Sequence, residues 1–197
     1  RRATVDYAAC ASTSAFFNVR SDDRIGVTRQ DACYVMYAGT ALATDYSTLL
    51  YGHIDRPGEK VDHLILLREQ QDRTGGLLTY VPLRFHNEHN QLRNIPMVRA
   101  VHSLREIARG RLLFDNVPHV KAYWITTGLE TAQLGLQYGA DDIDGTVVEE
   151  KITHMAGGKT PEGVSEEHLR LLIREAGKTP VRRDTLYNRV PSRFAGE

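Results

Sequence analysis

The chain has 197 residues, of which 41% are hydrophobic and 25% are charged, a composition typical of an ordinary globular domain. Lysine and arginine together number 25, as do aspartate and glutamate, so the formal net charge is zero. This balance leaves little electrostatic basis for binding nucleic acid or an anionic membrane. No apolar run has the length of a membrane-spanning helix, and the two cysteines are too few for a secreted disulfide scaffold, so we expect a reduced, cytoplasmic protein.

From residue 46 onward, short apolar runs alternate with longer helical patterns. The first run, YSTLLYG at 46–52, is apolar and ends in glycine, which predicts a strand. The segment 57–76 predicts a helix that opens at a proline and ends at a double glycine. At helical spacing, one face of this helix carries Val61, Leu64, Ile65 and Arg68.

Two further strand and helix pairs follow. In chain order, the next strand, helix, strand and helix are predicted at 77–85, 103–116, 119–126 and 129–139. The first of these helices is expected to open with a capping box, in which Ser103 is followed three residues later by Glu106. The second is expected to stop at Gly139.

The last part of the chain predicts a short fourth strand and two more helices, at 141–145, 147–157 and 165–177. The final helix is expected to begin at Ser165 and to end at Gly177, and residues 179–187 are predicted to be extended. Strands separated by helices of this length are typical of βα units around a parallel sheet. The predicted fold class is therefore α/β, with about four βα units, half of an eight-unit TIM-type barrel.

Polar side chains follow every one of these predicted strands. In parallel α/β folds the carboxyl ends of the strands meet at one edge, and the loops there collect the reacting groups. Thr126 and Thr127 follow the third strand. The candidates for binding a small-molecule substrate at this edge are His53, Arg84, His86, Asn87, Glu88, Asn90, Asp144, Thr146 and Glu149.

Several of these candidates have a second interpretation. His53 could serve only as a hydrogen-bonding residue of its loop, and Arg84 could face inward to a substrate carboxylate or outward to an acidic side chain. His86 and His89 form an H-x-x-H pattern that could hold zinc or a mononuclear iron, although zinc sites usually show three or four clear ligands. Glu149 could lie in a solvated first helical turn, where acidic residues are favoured.

The stretch CASTSAFF at 10–17 raises the question of an iron–sulfur site. Counted by a C-x3-C-x2-C spacing, Cys10 stands at the first position, while Ser14 and Phe17 occupy the other two. A serine oxygen is a poor ligand for a soft metal centre and phenylalanine is none. Cys33 lies too far along the chain to substitute, so we expect that this chain alone does not hold a four-iron cluster.

Four long stretches between residues 46 and 188 carry a specific resemblance. They are TLLYGHIDRPGEKVDHLILLREQQDRTGG, VPLRFHNEHN, LLFDNVPHVKAYWITTGLETAQLGLQYGADDIDGTVVEEKITHMAG and LIREAGKTPVRRDTLYN. Together they resemble the carboxyl-terminal half of the aminofutalosine synthases, which are radical S-adenosylmethionine enzymes of the futalosine route to menaquinone. The related cyclase that acts on dehypoxanthine futalosine shares the architecture, but HNEHN, HVKAYW and DGTVVEEKITHMAG resemble the synthase versions.

The resemblance implies a radical-SAM barrel in which three cysteines hold a 4Fe-4S cluster and the open iron binds S-adenosylmethionine. The adenosyl radical adds to an enolpyruvyl benzoate, and rearrangement with loss of carbon dioxide gives aminofutalosine. Residues 1–45 would be a remnant of the cluster-loop region, 46–188 the carboxyl-terminal half of the barrel, and 189–197 a loose tail. The residues that would line the substrate cavity are His53, His86, Asn87, Glu88, Asn90, Asp144, Thr146 and Glu149.

Two interpretations of function follow from these observations. The first is an enzyme of the aminofutalosine synthase family, with the related cyclase as an alternative. The second is a catalytically inactive remnant that binds a ligand or a partner without turnover. A half barrel would expose strand edges and apolar faces, so we expect self-association, and a clean monomer in light scattering would contradict that expectation.

Overall fold

The computed structural model describes residues 28–29, 32–33, 45–87, 92–146 and 163–191. Its strands are β1 (Thr28–Arg29), β2 (Ala32–Cys33), β3 (Asp45–Tyr51), β4 (Leu77–Arg84) and β5 (His119–Val120). Its helices are α1 (Pro57–Thr74), α2 (Ala100–Leu113), α3 (Trp124–Thr127), α4 (Leu129–Gly135) and α5 (Glu166–Glu175). Within these ranges, no helix combines the length and the apolar character needed to cross a membrane.

Strands β3, β4 and β5 form one parallel sheet in that order, with α1 connecting the first pair of strands and α2 the second. Tyr51 of β3 lies opposite Arg84 of β4, and Tyr80 of β4 lies opposite Val120 of β5. This mixed α/β arrangement around a parallel sheet confirms the fold class predicted from the alternation of strands and helices. β1 and β2 form a separate antiparallel pair.

The third and fourth predicted strands are much shorter than expected. β5 has two residues, because the last part of the predicted strand, residues 124–126, lies in α3 instead. The fourth strand is reduced to a parallel bridge between Lys121 and Asp142. Trp124 and Ile125 are buried in α3, and a short apolar run of this kind has the same pattern in a buried strand and in a buried helical turn.

The face that α1 buries differs from the face that apolar spacing suggested. The residues that α1 buries are His63, Leu64, Leu67 and Gln71. Ile65 of the predicted face is exposed. Two of the buried side chains are polar, and hydrogen bonds to the backbone compensate for their burial. His63 Nε2 donates to the Thr48 carbonyl (3.3 Å). Gln71 donates to the carbonyl of Leu77 (3.0 Å) and accepts from the N–H of the same residue (2.7 Å).

The start of α2 lies three residues before the predicted capping box. The helix begins at Ala100 without a side-chain cap. Ser103 is fully buried inside the helix, and Glu106 contacts Lys60 and Arg109. The prediction of a capping box was therefore wrong, because an S-x-x-E spacing also brings serine and glutamate to one buried helix face.

The final helix has its predicted ends. α5 follows Ser165, whose Oγ accepts a hydrogen bond from the backbone N–H of His168 (3.2 Å), and two glutamates occupy its first turn. Gly177 follows its end with φ of 70°, a left-handed conformation that favours glycine. The helix predicted at 147–157 lies outside the described residues.

Residues 183–188 form a tight turn that overlaps the segment 179–187, which was predicted to be extended. Oδ1 of Asp184 accepts from two backbone N–H groups of the turn, both at 2.9 Å. Tyr187 takes φ of 63°, which is uncommon for a bulky residue. The hydroxyl of Tyr46 in β3 donates to the carbonyl of Thr185 (3.0 Å), so the turn packs near the amino end of the sheet.

Replacing Gly110 with alanine is expected to lower the free energy of unfolding by about 1–3 kcal/mol. A Cβ at this position of α2 would overlap the ring of Tyr80 in β4. Tyr80 is fully buried against Phe114, with ring centroids 5.1 Å apart, and has no room to move. On an open helix surface the same change would instead stabilise by up to about 1 kcal/mol. Urea denaturation measures the difference.

The matched control for this prediction is Gly58→Ala in the first turn of α1, where an added Cβ meets no atom within 4 Å. The control is expected to keep the parent's stability or to exceed it slightly, because it only removes glycine's backbone freedom. Equal stability of Gly58→Ala and Gly110→Ala would contradict the close contact between α2 and β4.

Candidate substrate site at the carboxyl edge of the sheet

The loop that follows β3 is closed by the carboxylate of Asp55. Its Oδ1 accepts hydrogen bonds from the backbone N–H groups of Gly52 (2.7 Å) and His53 (2.8 Å). Gly52 has φ of 90°, and a Cβ there would lie 2.8 Å from the side chain of Val98, so this turn requires glycine. The loop therefore presents His53 directly after the carboxyl end of β3, where the sequence placed it.

The ring of His53 is fixed on two sides. Its Nε2 donates to the carbonyl of Leu50 (3.1 Å), and the ring meets Phe85 edge-on with centroids 5.7 Å apart. Burial lowers the pKa of His53, and the negative charge of Asp55 opposes part of that effect. The imidazole is therefore neutral near pH 7. The hydrogen bond is the one expected of a loop residue, and a role in substrate binding stays a prediction.

Arg84 ends β4 on the side of the sheet that faces the helices. Side chains alternate along a strand, so Arg84 shares a face with Tyr80, which packs on α2. It lies opposite Tyr51, whose pKa is raised by burial against the opposing effects of the Ser103 hydroxyl and the positive charge of Arg84. Burial in turn lowers the pKa of Arg84. Of the two directions considered for Arg84 from the sequence, inward to a substrate or outward, the side chain therefore takes the outward one.

His86 and Asn87 connect the end of β4 to neighbouring segments. His86 is buried, and its Nε2 donates to the carbonyl of Thr126 (2.9 Å), which joins edge residues of two successive βα units. The Nδ2 of Asn87 donates to the carbonyl of Ile95 and, at 3.5 Å, to that of Arg93. Thr126 lies in α3, so its predicted place at a strand end was wrong, although its carbonyl still reaches the predicted edge.

Asp144 and Thr146 lie on the loop after the bridge between Lys121 and Asp142. Nζ of Lys121 contacts Asp144 Oδ1 at 3.1 Å and Asp142 Oδ2 at 3.5 Å, so one lysine joins the two carboxylates. Asp144 and Thr146 both line a cleft of about 750 Å³ between this loop, α5 and the segment that contains Arg183. A cleft of this size is in the range of small-molecule sites.

A buried ion-pair network lies behind the loop after β3, and the sequence did not predict it. Nζ of Lys60 contacts Asp55 Oδ2 (3.0 Å) and Glu106 Oε1 (2.8 Å), and Glu106 also contacts Arg109. Burial by itself would raise the pKa of Asp55, but the charge and the hydrogen bond of Lys60 hold it below its usual range. In the sequence, Asp55 in the motif GHID was the residue that could have pointed to this network. Lys60 and Glu106 resemble ordinary helix residues and gave no such signal.

The remaining predicted site residues lie outside the described residues. They are Cys10, Ser14, Phe17, Glu88, His89, Asn90 and Glu149. Within the part of the chain that the structure describes, no group of three or more His, Cys, Asp or Glu side chains could hold a metal ion. At the cluster spacing the chain offers one thiolate, one hydroxyl and one phenyl ring, so this donor set does not fit a 4Fe-4S cluster.

Known proteins similar to this chain include two kinds of futalosine synthase and 5-amino-6-(D-ribitylamino)uracil--L-tyrosine 4-hydroxyphenyl transferases, of which one from Archaeoglobus fulgidus is 39% identical over 144 residues, covering 72% of this chain and 42% of that protein. An aminodeoxyfutalosine synthase of Streptomyces coelicolor is 48% identical over 151 residues, which cover 71% of this chain and 39% of that protein. An aminodeoxyfutalosine synthase of Thermus thermophilus is 45% identical over 148 residues, covering 73% of this chain and 40% of that protein. A cyclic dehypoxanthine futalosine synthase of Streptomyces coelicolor is 39% identical over 141 residues, which cover 72% of this chain and 35% of that protein.

The match to a protein family extends over most of the described fold. The chain spans about two-fifths of the length of the curated relatives named above. A family model described as the CofH/MqnC C-terminal region matches residues 74–193, from the end of α1 to beyond the turn at 183–188. Because this match covers more than half of the chain, the protein belongs to the CofH/MqnC C-terminal region family.

Proposed function

We propose that this chain functions as part of an aminofutalosine synthase-type radical S-adenosylmethionine protein of menaquinone biosynthesis, located in the cytoplasm. The observation that carries the proposal is the 48% identity to an aminodeoxyfutalosine synthase over 151 residues. The identity to the cyclic dehypoxanthine futalosine synthase is lower, 39%, which favours the synthase over the cyclase. The proposed substrate is accordingly an enolpyruvyl benzoate, to which the family reaction adds the adenosyl group of S-adenosylmethionine.

The finer architecture is part of the same proposal. We propose that β3, β4, β5 and the segment at Asp142 are successive units of a (β/α) TIM-type barrel, with residues 46–188 as its carboxyl-terminal half. Support comes from their parallel order and from the polar residues that follow each strand. Residues 1–45 would then correspond to the cluster-loop region and 189–197 to a tail.

In this proposal the edge residues bind and orient the substrate. Neutral His53 and buried His86 offer imidazole groups at the ends of β3 and β4, and Asn87 offers an amide. Asp144, held by Lys121, faces the cleft beside α5. The other proposed lining residues are Glu88, Asn90, Thr146 and Glu149, whereas Arg84, which faces the helices, is not among them.

The cluster donor set favours a second candidate function, binding without turnover. Cys10, Ser14 and Phe17 offer one thiolate where the family cluster uses three, so no chemical step is assigned to a cluster in this chain. In this candidate function the residues at the carboxyl ends of the strands bind the substrate or a partner without turnover. Unpaired outer strands of the sheet would allow self-association. The two candidates differ in iron content and in product formation.

Iron and sulfide content after anaerobic reconstitution is the measurement that separates these candidates. The parent chain is expected to bind far less than the roughly four irons of a complete cluster, and a Ser14→Cys/Phe17→Cys variant is expected to bind more. If the parent binds about four irons and forms aminofutalosine from S-adenosylmethionine and enolpyruvyl benzoate, the candidate without turnover is wrong.

Calorimetric titration with enolpyruvyl benzoate tests the substrate site without any cluster. Saturable binding is expected, and His53→Ala is expected to weaken it about tenfold, the effect of losing one good hydrogen bond. The matched control is His168→Ala, an exposed position in α5. Absence of saturable binding, or equal binding by both variants, would contradict the proposed site.

A further inference from the structure

The loop that carries His53 depends on a single carboxylate. Asp55 Oδ1 accepts from two consecutive backbone N–H groups, Gly52 at 2.7 Å and His53 at 2.8 Å. A short acidic side chain that bonds its own backbone in this way mimics a backbone turn. The direction in which His53 leaves β3 is therefore set by Asp55 together with the positive φ of Gly52.

Asp55 is itself held from behind by two helices. Its Oδ2 contacts Lys60 of α1 at 3.0 Å, and Lys60 contacts Glu106 of α2 at 2.8 Å. The side chains of Asp55 and Glu106 are 3% and 4% exposed, and that of Lys60 is 13% exposed. Removing one partner from an ion pair this deeply buried strongly destabilises the fold, because the other charge is left unpaired. The network therefore connects the edge loop rigidly to both helices that cover the sheet.

The same carboxylate also faces the ring of His53. Because the Leu50 carbonyl can only accept, the ring nitrogen Nε2 carries the proton in the hydrogen bond between them (3.1 Å). The other nitrogen, Nδ1, lies 3.8 Å from Asp55 Oδ1. The ring edge contact with Phe85 completes the environment. Asp55 thus acts on His53 twice, through its backbone N–H and through its ring.

We propose that Asp55 is a positioning residue for His53, and that the Lys60–Glu106 ion pair holds Asp55 in the required place. The proposal rests on the proposed function in so far as His53 contacts the substrate. The positioning itself is a property of this chain and can be measured without substrate.

The charges around His53 give this proposal a distinctive signature. Burial lowers the pKa of His53, Asp55 and Glu59 raise it, and Lys60 lowers it. Removing the charge of Asp55 should therefore lower the pKa of His53, whereas removing the charge of Lys60 should raise it. General loosening of the loop would relieve burial in both variants and shift the pKa upward in both. The opposite signs separate positioning from loosening.

The experiment follows the ring proton signals of His53 by NMR as a function of pH, together with backbone amide exchange at Gly52 and His53. The variants are Asp55→Asn and Lys60→Gln, and the matched control is Asp72→Asn, at an exposed position in α1. Asp55→Asn is expected to lower the pKa of His53 and to speed exchange of both amides about tenfold, since each loses a charge-assisted hydrogen bond. Lys60→Gln is expected to raise the pKa of His53.

If Asp55→Asn leaves the His53 titration and both exchange rates equal to those of Asp72→Asn, the proposal is overturned. The substitution to asparagine keeps the size of the side chain, and circular dichroism identifies any variant that fails to fold. Should Lys60→Gln not fold, Lys60→Met replaces it, because an unbranched apolar side chain of similar length also removes the charge, and the same rise in the pKa of His53 is expected. If the variants show the expected changes in the pKa of His53 and in amide exchange, but the parent does not bind enolpyruvyl benzoate, the positioning is upheld and only the proposed function is overturned.

Discussion

Replacing Asp142 with alanine is expected to lower the free energy of unfolding by about 3 kcal/mol, the low end of the range for breaking a buried ion pair. The carboxylate accepts from Arg183 at Nε (3.1 Å) and Nη2 (2.6 Å) and from the hydroxyl of Tyr187 (2.8 Å). Lys121 lies 3.5 Å away. Without the carboxylate, these buried and half-buried groups lose their common acceptor. Urea denaturation at pH 7 measures the loss.

The pH dependence of this variant follows from the pKa of Asp142. Burial by itself would raise that pKa, but the hydrogen bond from Arg183 and the charge of Lys121 hold it below the usual range. A lowered carboxyl pKa contributes stability above the unfolded value of about 3.9 and loses it as the pH falls through the folded value. The difference between parent and Asp142→Ala is therefore expected to be the same at pH 7 and pH 5.

The matched control is Asp115→Ala, which removes the partner of Arg68 in an exposed pair. Their side chains are 65% and 47% exposed, and such pairs contribute about 0.5 kcal/mol or less. If Asp115→Ala and Asp142→Ala cost the same, the carboxylate at 142 does not hold the turn at 183–188 against the sheet, and the account given for it is wrong.

Acid is expected to destabilise the protein through His63 as the pH falls below about 6.5. Burial lowers the pKa of His63 to about 4, against about 6.5 in the unfolded chain, although the hydrogen bond to the Thr48 carbonyl opposes part of the shift. The unfolded chain therefore binds this proton first, so stability is full above pH 6.5 and falls as the pH drops toward 4. The full loss is about 3 kcal/mol, of which about 2 kcal/mol appears by pH 5.

Denaturation of the parent and of His63→Gln at pH 8 and pH 5 tests this prediction. The variant has no imidazole at this position, so its stability should fall about 2 kcal/mol less than the parent's between the two pH values. His168→Gln, at an exposed position in α5, is the matched control and should fall in parallel with the parent. A parent and a His63→Gln variant with identical slopes would rule out a buried neutral imidazole at this position.

The positions of the edge loops could be predicted because they depend on local signals. Gly52 and the polar residues after it follow a strand whose apolar alternation is clear in the sequence, and β3 and β4 appear within a residue or two of the predicted limits. His53 and His86 therefore lie at the strand ends where they were placed. The ends of α5 were predictable for the same reason, since Ser165 and Gly177 act on their own helix turns.

Other features were missed because the same residue pattern fits two environments. The spacing of Ser103 and Glu106 suits a helix start and also a buried helix face, and the burial of α2 against Tyr51 and Lys60 decided between them. The apolar pair Trp124 and Ile125 suits a strand or a helical turn, and the structure has α3. Polar His63 lay outside every apolar pattern because its burial depends on a carbonyl of a different element.

The sequence by itself determined the alternation of strands and helices, the parallel α/β class and the resemblance to the aminofutalosine synthases, because these depend on residue periodicity and long contiguous motifs. Only the tertiary structure decided that Arg84 faces the helices and that Asp55, Lys60 and Glu106 form one buried network. Lys60 and Glu106 are 46 positions apart, and Arg183 and Asp142 are 41 apart. Contacts between such distant charges arise when packing excludes water around both, and no local pattern records that.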